Sequence, residues 1–74
     1  MGTKNNPGAF DCYENADPDE PMFVLLGRDP LAPALVRQWA ASRVFAAGSS
    51  GDGSAKVAEA FACADAMDAW REAR

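Results

Sequence analysis

The chain has 74 residues, eleven acids against seven bases, no histidine and only two cysteines, a net charge of −4. One domain is the most that length supports, and its core is marginal on its own. The acidic balance counts against nucleic-acid binding, which draws its affinity from Lys and Arg on phosphates, and no apolar run approaches the ~20 residues that cross a bilayer.

Small domains are commonly reinforced by disulfides, a metal or a second subunit. A structural zinc site needs four ligands, usually Cys or His, and no metal or cofactor is expected here. On count alone a disulfide between Cys12 and Cys63 is possible. However, "MGTKNNPGAF" has no apolar signal core and Asn6 stands where a myristoylation signal wants a hydroxyl. The expected setting is the cytoplasm, with thiols reduced. Oligomerisation is the remaining reinforcement.

Residues 1–10 are turn and coil chemistry, read as a flexible arm. Asp11, with Glu14 three later, starts a single helical turn. "ADPDEP" stops it, because Pro18 and Pro21 push the residues before them out of the α region.

Met22-Phe23-Val24-Leu25-Leu26 is bounded by Pro21 and Gly27, so it is short, and Phe and Val favour extended backbone. Strand and short helix are both compatible with the run, and the extended reading is preferred. A single strand has no ladder partner within the chain. Pairing with the same segment of a second subunit would satisfy its backbone groups and cover its apolar side.

Asp29-Pro30 reads as a helix start, an acid cap followed by proline at the first helical position. That helix runs from Pro30 to about Ala46. Leu31, Leu35, Trp39 and Ser42 share one face, with Ala34 and Gln38 beside them. Val36, Ala40 and Val44 form a second apolar edge, and two edges mean burial wider than one partner helix provides.

"GSSGDGS", within a flexible loop spanning 47–54, separates this helix from the next. Gly48 and Gly53 have P-loop separation, but Ser54 occupies the lysine position and a helix precedes the loop, so a tether is preferred over a nucleotide loop. Ser54 caps a helix from Ala55 to about Glu72, in which Val57, Ala60, Phe61, Ala64 and Met67 fall at helical spacing. Glu59, Asp65, Asp68 and Glu72 lie opposite, a solvated face. The expected fold is mainly α: an antiparallel helical hairpin preceded by a short extended apolar segment, one domain over 1–74, in an oligomer.

No histidine means no Ser-His or Cys-His pair, and the carboxylate groups read as surface, so no enzyme is expected. Candidate ligand-binding residues are Arg28 and Asp29, at a helix start with free amides and a positive dipole, and Arg37, Trp39 and Arg43, where guanidinium and indole could stack a base. Structural readings compete and are preferred. Asp29 caps the helix while Arg28 pairs with an acid such as Glu20, and Trp39 packs beneath snorkelling arginines. The acidic patches at Asp17–Glu20 and Asp65–Glu72 suit a basic protein partner.

"CYENADPDEPMFVLLGRDPLAPALVRQWAASR" with "KVAEAFACADAMDAWR" resembles a group of small accessory proteins of tailed phages and prophages, in the Glu-Pro, the apolar "FVLL", the "GRDPLAP" corner and the Ala-Asp-Ala-Met helix. The resemblance covers Cys12 to Arg71 apart from the loop at 47–54. It implies a bacterial host's cytoplasm and a non-structural accessory role. By analogy that role is counter-defence, through a host protein or a sequestered anionic nucleotide-type ligand. A virion assembly or pure protein–protein role is the alternative.

Overall fold

A computed structural model describes residues 1–47 and 54–74 of the chain, and these are mainly helical. The tether and phosphate-loop readings of 48–53 lie outside the described residues, as does the side chain of Ser54. Three helices follow in order: α1 (Cys12–Asn15), α2 (Ala32–Ala47) and α3 (Ser54–Glu72).

α1 is the single turn expected. The Asp11 carboxylate accepts from the Tyr13 amide at 3.1 Å, and the chain leaves in extended conformation at Ala16. α3 begins and ends within one residue of its expected bounds. α2 starts two residues later than expected. Asp29 Oδ1 accepts from the Leu31 amide at 2.9 Å, and the Ala32 amide donates to the Asp29 carbonyl at 3.1 Å. Asp29 therefore closes a turn across Pro30 before regular helix begins.

α2 and α3 pack side by side. Ala40 lies in a cluster with Val57 and Ala60, while Arg37, one turn earlier, reaches Asp65 and Asp68. Position rises on one helix as it falls on the other, so the two run antiparallel. The buried core is small: Ala32, Ala40, Val57, Ala60 and Ala64, with Met1 and Val36 packed against it. Alanines at a crossing let two helix axes approach to the short end of the usual 8–10 Å.

The buried side of α2 differs from the face expected first. Ala32, Pro33 and Ala40 are buried, and Val36 is half-buried, whereas Leu31, Leu35 and Trp39 are 65%, 45% and 40% exposed. Val36 and Ala40 of the second apolar edge face α3, while Val44 is 50% exposed. The reason is size: alanines on both helices admit the closest contact, and leucine and tryptophan would hold the axes apart. Residues 20–26 form neither helix nor ladder, and no strand occurs among the described residues. Phe23 is 85% exposed. The backbone at Gly27 lies against Met67 of α3, a Cβ there standing 3.5 Å from the Met67 Cγ.

The first ten residues, expected as a flexible arm, lie against α3. The Glu59 carboxylate accepts from the Ala9 amide at 2.8 Å and the Phe10 amide at 3.2 Å. Gly2 and Pro7 form a bridge, closed by Gly2 at φ +112°, a backbone region that side chains disfavour. Gly8 passes so close to Glu59 that a Cβ would stand 2.6 Å from its Oε1. Replacing Glu59 by alanine should cost about 1 kcal/mol, since two amides lose a charged acceptor on a partly exposed surface. Hydrogen exchange checks this: the Ala9 and Phe10 amides should lose protection while those of α2 keep theirs.

Candidate functional site

Five side chains were singled out for ligand binding, and the fold distributes them over three places. Arg28 and Asp29 stand at the corner before α2. Asp29 is engaged by its own backbone environment: its side chain takes the Leu31 amide, its carbonyl takes the Ala32 amide, and its amide donates to the Leu26 carbonyl at 3.0 Å. Pro30 and Pro33 contribute no N–H at all. An anion approaching this helix start meets few open donors. Arg28 is exposed and has no ion pair among the described residues, and Glu20 instead accepts from the Asp17 amide at 3.0 Å. Asp29→Ala should therefore cost about 1 kcal/mol of a lost cap, and Arg28→Ala should stay within about 0.5 kcal/mol, both read from urea melts.

Arg37 spans the hairpin. Its Nη2 donates to Asp65 Oδ1 at 2.8 Å and to Asp68 Oδ2 at 2.7 Å. The hydrogen bond to Asp65, then that to Asp68, raises the guanidinium's pKa above its ordinary value. The sign follows: a cation with a raised folded pKa lends its stability in full at neutral pH. That stability is lost only at a pH high enough to strip the guanidinium. With two carboxylates already on it, Arg37 is poorly placed to receive a further anion. Asp65 and Asp68 likewise belong to the helix–helix contact rather than to a free acidic face.

Trp39 is the third place. The Arg43 guanidinium lies 5.7 Å from its ring centroid and the Lys56 ammonium, from α3, 5.9 Å. Both distances fall within cation–π reach. Lys56 was not among the expected site residues, although it is the one lysine of α3. From Ala32 to Arg43 a helix rises roughly 16 Å, so the corner and the indole do not converge on one small ligand. A second indole, Trp70, carries Arg74 at 4.4 Å.

A concavity among the described residues is a wide, shallow depression on the solvent side of α2, lined by Gln38, Ala41, Ser42 and Phe45. All four come from one helix, so it is a surface, not an enclosure. Cys12 and Cys63 are both free thiols. Among the described residues no group of three or more potential ligands could hold a metal ion, and no helix is long and apolar enough to cross a membrane.

What the structure does bring together is apolar. Leu31, just before α2, and Leu35 and Trp39 on it recur every four residues, with Arg28 before them and Arg43 and Lys56 at the far end. Comparison with protein-family models, with curated proteins and with solved structures returns no match.

Proposed function

We propose that the chain is a non-enzymatic binding protein that acts by laying the outer face of α2 on another protein. The observation that carries this reading is the row Leu31, Leu35, Trp39, exposed on a helix whose buried side is built from alanine. A helix with an apolar outer row is the form in which proteins present themselves to a partner's groove. Cations with no carboxylate partner among the described residues flank the row: Arg28 at one end, Arg43 and Lys56 over Trp39 at the other. The matching partner surface is apolar with an acidic rim. That reverses the basic partner expected from the acidic patches, because Asp65 and Asp68 are taken by Arg37.

On the resemblance to phage accessory proteins, the setting is a bacterial host's cytoplasm and the partner a host factor, met in counter-defence. One observation favours a second reading. An indole flanked by two cations suits a flat anion, so a nucleotide-type ligand at Trp39 is the alternative.

A photo-crosslinking residue at Leu35, in bacterial cytoplasm, tests the choice. We expect one discrete protein adduct from Leu35 and none from Arg71, which is also exposed. Absence of an adduct at Leu35 overturns the protein reading. A cyclic dinucleotide raising Tm in the native chain but not in Trp39→Ala would then establish the alternative.

A further inference from the structure

We infer that the segment from Met22 to Leu26, between the Asp17–Glu20 and Leu26–Asp29 turns, pairs with the same segment of a second copy, antiparallel, about a two-fold axis at Val24. Two observations converge on it, and neither uses the outer face of α2.

The first is a run of open backbone donors. Seven consecutive amides, Met22 to Arg28, donate no hydrogen bond among the described residues. Neighbouring amides do: Glu20 donates to Asp17 and Asp29 to Leu26. Water serves these seven in a lone chain. Gly27 and Arg28 lie in the turn closed by the Asp29 amide on the Leu26 carbonyl, and the five before it, in a run bearing Met22, Phe23, Val24 and Leu26 exposed, are a template for strand addition.

The second is self-complementarity. An axis at Val24 is the register in which all five apolar residues, Met22 to Leu26, face one another. At each end of the paired run it brings the Glu20 carboxylate of one copy toward the Arg28 guanidinium that the Leu26–Asp29 turn of the other carries, twice by symmetry. With Val24 as a hydrogen-bonded pair, Met22 and Leu26 exchange the next bonds. Pro21 then falls at an outward position, where its missing N–H costs nothing. Arg28, which has no ion pair within the described residues, gains one.

Light scattering on the purified chain across a dilution series is the test, with three variants. The native chain should run at twice 7.8 kDa. Val24→Pro removes a donor that has no partner within the chain, so the fold should persist by circular dichroism while the dimer's Kd rises at least tenfold. Glu20→Arg alone should weaken the dimer, and Glu20→Arg with Arg28→Glu should restore it. A native chain that is monomeric at about 100 µM overturns the inference, as does a Val24→Pro variant that dimerises as well as the native chain. A charge-swapped double variant no tighter than Glu20→Arg overturns the register. The crosslink at Leu35 reads a different surface, so either proposal fails without the other.

Discussion

Ala60→Leu should lower Tm by roughly 10–15 °C, while Ala58→Leu, two residues away on the same helix, should leave it nearly unchanged. Ala60 is fully buried against Ala40 and Val57, and Ala58 is exposed. Three added carbons at Ala60 fall within the contact it makes with Ala40 and Val57 between the two helices. Overpacking of this kind costs about 1–3 kcal/mol, a large share of the roughly 4–11 kcal/mol that a chain this size commands. In a domain of this size each 1 kcal/mol moves Tm by about 4–8 °C. At Ala58 the same exchange meets water, and alanine and leucine differ little in helix propensity. Thermal melts by circular dichroism decide it. Equal shifts at the two positions would mean that α2 and α3 do not meet through Ala60.

The same alanines explain what was legible beforehand. α1 and α3 were readable because their signals are local: the Asp11 cap, the prolines after Ala16, the alanine-rich run ending at Glu72. The cap by Asp29 was readable too, although Pro30 was expected inside the helix and lies in the turn before it. The inward face of α2 was not readable. Leu31–Leu35–Trp39 and Val36–Ala40 are both apolar at helical spacing, and hydrophobicity ranks the larger row first. The choice depends on what sits opposite, and Ala60 and Ala64 favour the small row. Arg37's partners were hidden for a related reason. Asp65 and Asp68 share a face on their own helix, but only the register of the hairpin brings that face to Arg37. Glu59 was counted among the solvated acids because nothing in its neighbourhood along the chain announces the amides of Ala9 and Phe10. Of the candidate site, Trp39 with Arg43 was legible as a pair four residues apart, and Lys56 was not, since it arrives from the other helix.

Leu35→Lys separates the two faces of α2 by experiment. Were Leu35 a core residue, a buried unpaired ammonium would cost several kcal/mol and the chain would unfold. At 45% exposure its ammonium reaches water, its stem still covers the neighbouring side chains, and lysine matches leucine as a helix former. Urea melts should therefore place the variant within about 1 kcal/mol of the native chain. Val36→Lys, half-buried against Ala40 and the Val57–Ala60 cluster, should cost more than 2 kcal/mol, as large disruptions of a packed contact do. Binding should follow the opposite order. Leu35→Lys puts a charge in the middle of the Leu31–Trp39 row, where a partner's apolar surface would have to desolvate it. A crosslinker at Leu31 should then lose its protein adduct even though the fold is intact. An adduct that survives Leu35→Lys would move the docking face elsewhere on the chain. A variant that unfolds would return the leucine row to the core and remove the physical basis for a partner there.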